Sequence, residues 1–276
     1  MLKRTLVGLV MTAWLVAGGA QAEAASVLYG ADGSGGNPSN LYVIDPSSGA
    51  VITTIGAIGF AVTGLAIDPT TGVMFGSTGG AGAIPPSLIT IDLTTGAGTL
   101  VGALDGVLAD ITFDPLGNLY GWLEPSSDDL VSVDKTTGQI TIVGDSGLST
   151  ALTGLAMGPG GTLYFGGFND LNLVGLVSID PATGAVTGDV AYAGFELVGM
   201  GLAFDESGVL FGIEQLGSAG RNLVRIDPVT GTVTIIGGTV DRLDALAFQT
   251  IVPEPGALAL LVIGAVAVRR SRQRAG

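Results

Sequence analysis

Two residue types are absent and a third is scarce. The chain of 276 residues contains no cysteine and no histidine, and lysine and arginine together number ten. Without cysteine there is no disulfide and no cysteine-linked lipid, so stability must come from core packing. Without histidine, Ser-His-Asp and Cys-His nucleophiles are excluded. Zinc and copper sites built on imidazole or thiolate are excluded too. Only hard cations held by oxygen remain as metals, Ca²⁺ foremost, and nothing calls for another cofactor. Six of the ten basic residues lie near the termini. Residues 23–252 keep only Lys135, Arg221, Arg225 and Arg242 against 23 carboxylates, a formal charge of −19. A nucleic-acid partner is excluded, because phosphates need cations to neutralise them. Acidity of this size keeps an exported domain soluble.

The ends read as address signals. Lys3 and Arg4 precede an apolar stretch from Leu6 to Gly18, and Ala20-Gln21-Ala22 offers small residues for cleavage, with Ala22-Glu23-Ala24 as a second site. That order predicts a helical signal peptide over 1–22 that takes no part in the fold. The other end runs Val252-Pro253-Glu254-Pro255, then 13 uncharged residues over 256–268, then Arg269, Arg270, Arg272 and Arg274. The apolar run is short against the roughly 20 residues of a full span. Its basic flank still predicts a membrane segment with a cytoplasmic tail, because such flanks resist translocation.

The tail, 251–276, resembles the PEP-CTERM sorting signal, also catalogued as an ice-binding-protein C-terminal domain: Pro-Glu-Pro, an apolar run and an arginine cluster stand in the family's order. The resemblance implies recognition by an exosortase, a membrane transpeptidase of polysaccharide-producing bacteria. It implies anchorage in the inner membrane, at least transiently, and then the cell surface or matrix.

Between the signals, residues 23–250 repeat themselves. Ile44-Asp45-Pro46-Ser47-Ser48-Gly49 recurs with aspartates at 92, 134, 180 and 227, spaced by 47, 42, 46 and 47 residues. A strand-rich period in the forties predicts an all-β propeller. Each copy holds four strand signals, such as Leu65–Asp68, Val73–Gly76, Leu88–Ile91 and Gly98–Val101. The Asp-x-Thr-Thr-Gly segments predict turns, with Asp capping backbone N–H groups and Gly taking positive φ. The C-terminal Asp244-Ala245-Leu246-Ala247-Phe248 matches a first strand and Ser26–Gly30 a second. The two ends therefore close one four-stranded blade, which removes exposed sheet edges. Counting copies gives five blades; a degenerate sixth and a β-solenoid are the competing architectures. The repeats resemble NHL, YVTN and quinoprotein-like propellers, whose catalytic residues do not map onto this chain.

The connections expected to be long and unlike one another share one face, where binding is usually built. A candidate ligand face there gathers Trp122, Glu124, Asp128 and Asp129, then Asn169 and Asp170 beside Phe168, then Glu214 and Arg221. Trp122 with Glu124 suits a sugar, by stacking and hydrogen bonding; packing under its own loop is the plainer role. Asp105, Asp145, Glu196, Asp241 and Arg242 join from the connections between blades. Asp110 and Asp244, near the channel, are the candidate Ca²⁺ ligands, with solvated charge as the alternative. The leading expectation is a non-catalytic module for exopolysaccharide or matrix-protein partners. The alternative is a Ca²⁺-dependent hydrolase or lactonase using the channel, in which the cation would activate water. Ice binding, prompted by Thr232-Val233-Thr234, is better explained by ordinary strand threonines.

Overall fold

The computed structural model describes residues 25–251, apart from 34–35, 80–83, 125–126, 170–173, 194–197 and 217–219. The signal peptide and the membrane segment expected at the termini lie outside the described residues. Among the described residues no helix is long and apolar enough to cross a membrane.

Twenty strands form five antiparallel sheets of four. The first blade joins β1 (Ala25–Asp32), β2 (Asn40–Ile44) and β3 (Val51–Ala57) to the C-terminal β20 (Leu243–Ile251). The second contains β4 (Val62–Ile67), β5 (Met74–Thr78), β6 (Ser87–Ile91) and β7 (Gly98–Ala103). The third contains β8 (Val107–Phe113), β9 (Leu119–Glu124), β10 (Asp129–Val133) and β11 (Ile140–Asp145). The fourth contains β12 (Thr150–Met157), β13 (Leu163–Asn169), β14 (Val174–Ile179) and β15 (Val186–Ala191). The fifth contains β16 (Val198–Phe204), β17 (Leu210–Leu216), β18 (Gly220–Ile226) and β19 (Val233–Gly238). The strands β20, β4, β8, β12 and β16 are innermost, and each packs against the inner strands of both neighbouring blades. The protein is a five-bladed propeller. Its ring is closed as the repeat predicts, with β1 paired to β20 in the register Leu28↔Phe248 and Tyr29↔Ala247.

The core is divided among the seams. Met74 and Ile89 of the second blade pack with Leu41 and Ala245 of the first. Phe113 and Val131 of the third pack with Phe75 and Leu88 of the second. Trp122 and Leu130 of the third pack with Phe165 and Val177 of the fourth. Apolar residues on both faces of the inner three strands make this possible, while outer strands such as β3 and β7 are largely exposed. Burial at a seam is the main favourable term holding one blade to the next.

The repeated aspartates are turn-formers. Asp92 Oδ1 accepts from the N–H groups of Thr94 and Thr95, and Asp45, Asp134, Asp180 and Asp227 do likewise in their turns. The Thr94 hydroxyl and these N–H groups draw the Asp92 carboxyl down to about 2. The turn glycines 49, 96, 138, 184 and 231 have φ between +68° and +80°. They also lock the blades together. An added Cβ on Gly184 would come within 2.7 Å of the Gly144 carbonyl, and one on Gly144 would run into the Thr183 carbonyl. The same reciprocal contact joins Gly96 to Gly56, Gly138 to Gly102 and Gly49 to Gly237. At the fifth seam Ala191 stands where the others have glycine, and the backbone there forms a parallel bridge, Ala193↔Thr232. A second tie crosses the seam between the second and third blades. Lys135 Nζ lies 2.6 Å from Asp68 Oδ2 and donates to the Gly117 carbonyl. Burial opposes ionisation of Asp68, but the Lys135 ammonium and the Thr70 donors prevail and hold its carboxyl well below the usual range.

Several predicted loops are strand. Trp122 and Glu124 belong to β9, Asp129 begins β10, Asn169 ends β13, Glu214 lies in β17 and Arg221 in β18. Polar residues end an apolar pattern before they end a strand: Glu124 still pairs with Val107, and Asp129 with Leu123. The connection from β9 to β10 is therefore only residues 125–128.

Candidate functional site

The inner strands carry a small residue at one position in four blades, Gly64, Gly154, Gly201 and Ala245, and Asp110 at that position in the third blade. Asp110 is 1% exposed and reaches every other inner strand. Its Oδ1 accepts from the Ile111 N–H at 2.8 Å, and its Oδ2 from Leu155 N–H at 2.9 Å and Leu202 N–H at 3.4 Å. A Cβ on Gly64 would lie 2.6 Å from Oδ1. The charge of Asp244 on β20 acts on it as well. One carboxyl group thus fills the axis that four small residues leave open. Burial pushes it well above the usual carboxylate range, against the pull of the three N–H donors.

Asp244 sits beside a buried guanidinium. Arg221 is 3% exposed, and its Nε donates to the Leu243 carbonyl and one terminal nitrogen to the Gly220 carbonyl. Burial raises the Asp244 carboxyl to about 6, while the charge of Arg221 lowers it. Glu214 is buried next door, where its Oε2 accepts from Asn222 Nδ2 at 2.7 Å. A carboxyl whose folded value exceeds its unfolded 3.8 gives stability that is complete below that value and lost as pH rises through about 6. Wild type should therefore lose roughly 2.5 kcal/mol relative to Asp244→Asn between pH 4 and pH 8. Urea unfolding of both proteins at the two pH values measures it; parallel profiles would show that Asp244 ionises freely.

A third group lies at the seam of the third and fourth blades. Trp122 is fully buried, stacked on Phe165 with ring centroids 4.6 Å apart, and its Nε1 donates to Thr150 Oγ1 at 2.9 Å. It offers no face to a sugar, so the stacking role expected of it is corrected: the indole is core. Thr150 Oγ1 also lies 3.0 Å from Glu124 Oε1 and 2.8 Å from Asp128 Oδ1. A hydroxyl has one proton to give, so both contacts are hydrogen bonds only if one carboxyl is protonated. Burial raises the Glu124 carboxyl, the Thr153 and Thr150 hydroxyls oppose the rise, and the charge of Asp128 adds to it.

Among the described residues the members of the expected ligand face fall into separate groups. Trp122, Glu124 and Asp128 meet through Thr150 at one seam, Arg221 lies beside Asp244, Glu214 pairs with Asn222, and Asp129 is buried at the start of β10. Asn169 is placed only by its backbone, paired with Thr150, while Asp170 and Glu196 fall outside the described residues. Asp105, Asp145, Asp241 and Arg242 are exposed. Asp110 and Asp244 are poorly disposed toward Ca²⁺. Both oxygens of Asp110 already face N–H dipoles, which repel a cation, and Asp244 faces a guanidinium. Among the described residues no group of three or more carboxylates is placed to hold a metal.

A concavity lies at the other end of the channel, on the face of the short turns. A cavity of about 330 Å³ opens there, lined by inner-strand residues of all five blades. Ile67, Phe113, Phe204 and Phe248 contribute apolar wall, and Pro69, Pro115 and Pro159 form turns at the rim. Asp114, Asp205 and Glu206 line it too, and no lysine or arginine does. Nothing regular in the sequence marks this site, because the residues that follow the inner strands differ between blades: Asp68-Pro69 and Asp114-Pro115 in two, Gly158-Pro159 and Asp205-Glu206 in two others.

Fold and geometry define a five-bladed propeller with a plugged axis and an open cavity beneath it. No family model matches the chain, and no curated protein matches it. Solved structures do. TolB from Acinetobacter baumannii superposes with a TM-score of 0.50 at 15% identity, covering 76% of this chain and 52% of its own. A protein of unknown function from Bacteroides thetaiotaomicron VPI-5482 gives 0.51 at 17%, covering 79% and 66%. A GH43 glycoside hydrolase with an engineered active site gives 0.50 at 12%, covering 65% and 41%. The chain spans about half the length of TolB. At these identities the likeness is one of fold.

Proposed function

We propose that this is an exported, surface-directed propeller acting as a non-catalytic binding module for exopolysaccharide or protein partners. The leader and the Pro-Glu-Pro tail support export, recognition by an exosortase-type transpeptidase, and residence at the surface or matrix of a polysaccharide-producing bacterium. The observation that carries the binding half is the state of the buried carboxylates. Asp110, Glu124 and Glu214 are engaged by donors of the protein itself, so none is presented to a substrate as a free base or nucleophile. The hydrolase reading needs a cation at Asp110 and Asp244, where the donor set does not fit one.

A pull-down from the host's extracellular matrix with the immobilised protein, run beside a glycan array and a lactone and ester panel, tests the binding half. Specific retention of a matrix component without turnover is expected; turnover of a panel compound would overturn it. The sorting half is tested by replacing Pro253, Glu254 and Pro255 with alanine. The variant should accumulate in the inner-membrane fraction at several times the wild-type level. Equal distribution between membrane and surface fractions would remove the sorting reading.

A further inference from the structure

We propose that the turn-face cavity binds a basic, apolar peptide segment of a protein partner, with a hydrophobic side chain in the cavity and flanking Lys or Arg residues at its rim. This deepens the binding-module reading and rests on it. Three features select that ligand. First, the cavity is within the size range of ligand sites, and Ile67, Phe113, Phe204 and Phe248 give its otherwise mixed wall an apolar part that suits an aliphatic or aromatic side chain. Second, its titratable lining is acidic without exception. Asp114 and Asp205 are held in place by the N–H groups of their own turns, and Glu206 is exposed with no such bond. The nearby ammonium of Lys135 is committed to Asp68 and the Gly117 carbonyl, so it does not neutralise them. Third, the wall includes inner-strand backbone whose channel-facing edges are unpaired within their own sheets; the Leu202 N–H is taken by Asp110 and the Met157 N–H by Thr112, and the remaining edge groups can bond the main chain of an extended segment. An acidic polysaccharide would meet the rim with like charge, and a neutral one would leave it unmatched. The site differs from the ligand face read in the sequence, which lies at the opposite end of the ring.

The test is fluorescence anisotropy of the purified full chain with labelled Arg-Leu-Phe-Arg and Glu-Leu-Phe-Glu peptides, at low and physiological salt. Saturable binding of the basic peptide is expected, weakening with salt, with the acidic peptide at least about ten-fold weaker. A variant combining Asp114→Asn, Asp205→Asn and Glu206→Gln keeps the turn-capping oxygens while removing the charge. It should bind the basic peptide about ten-fold more weakly, since three exposed pairs are lost. Glu206→Arg alone, at an exposed position outside any cap, should act in the same direction with an unchanged melting temperature. Equal binding of both peptides, no binding of the basic one, or undiminished binding by Glu206→Arg would overturn the proposal. If purified exopolysaccharide binds while the basic peptide does not, this assignment fails and the binding-module reading stands. That broader reading falls only on its own test, by substrate turnover.

Discussion

Trp122→Ala should cost about 3–5 kcal/mol of stability, the range for deleting a buried aromatic side chain. The side chain is fully buried, packs on Phe165, and supplies the N–H that fixes the Thr150 hydroxyl between Glu124 and Asp128. Its loss opens a cavity at the seam of the third and fourth blades and frees the hydroxyl to turn. For a domain of this size the melting temperature should fall by about 6–20 °C. Trp122→Phe separates the two contributions. It keeps most of the ring packing and removes the indole donor, so it should cost about 1–2 kcal/mol. A glycan-binding tryptophan would behave in the opposite way, with melting unchanged and ligand binding lost. Trp122→Ala melting within about 2 °C of wild type would return Trp122 to the surface.

The contrast between fold and site follows from how far each piece of information travels along the chain. The blades were legible because everything that marks them is local. The period, the Asp caps and the positive-φ glycine sit within a few residues of each other and recur. Closure was legible because Leu246 and Leu28 continue the same pattern from opposite ends of the chain. The site was not legible, because its partners come from different repeats. Asp110 looks like a channel-mouth carboxylate until the N–H groups of Leu155 and Leu202, 45 and 92 residues away, are seen to close on it. One signal could have been read: four of the five copies put Gly or Ala where the third puts Asp, so space is set aside for a single side chain. Glu124 and Asp129 look like loop residues because charge ends an apolar pattern, yet a backbone ladder tolerates a charged side chain at its last rung. The turn-face cavity has no side-chain signature, since backbone edges and turn prolines make much of its wall.

The outer strands hold a further signal. Four of the five outer strands carry a glycine, 56, 102, 144 or 237, that no turn requires, and in β15 the matching position is Ala191. The reason lies in the next blade, where the Asp-x-Thr-Thr-Gly turn lies so close that no Cβ fits. Gly144→Ala, a change of one methyl group, should therefore be among the most damaging substitutions in the protein. The obstructing atom is the Thr183 backbone carbonyl, so no rotamer change relieves the contact, and in return Gly184 abuts the Gly144 carbonyl. The third and fourth blades must part at their outer edge, loosening the seam that holds Trp122 and Phe165. Overpacking of this kind costs about 1–3 kcal/mol, and more where backbone meets backbone on both sides. Melting should fall by roughly 6 °C or more, with faster proteolysis at that seam. Ile142→Ala, two residues away on the same strand and 60% exposed, is the control and should stay within about 0.5 kcal/mol of wild type. If Gly144→Ala melts like Ile142→Ala, the blades are not held by glycine contact and the outer-strand glycines need another explanation. If it melts well below, the repeat motif has two jobs: its aspartate makes the turn, and its glycine lets the turn dock on the neighbouring blade.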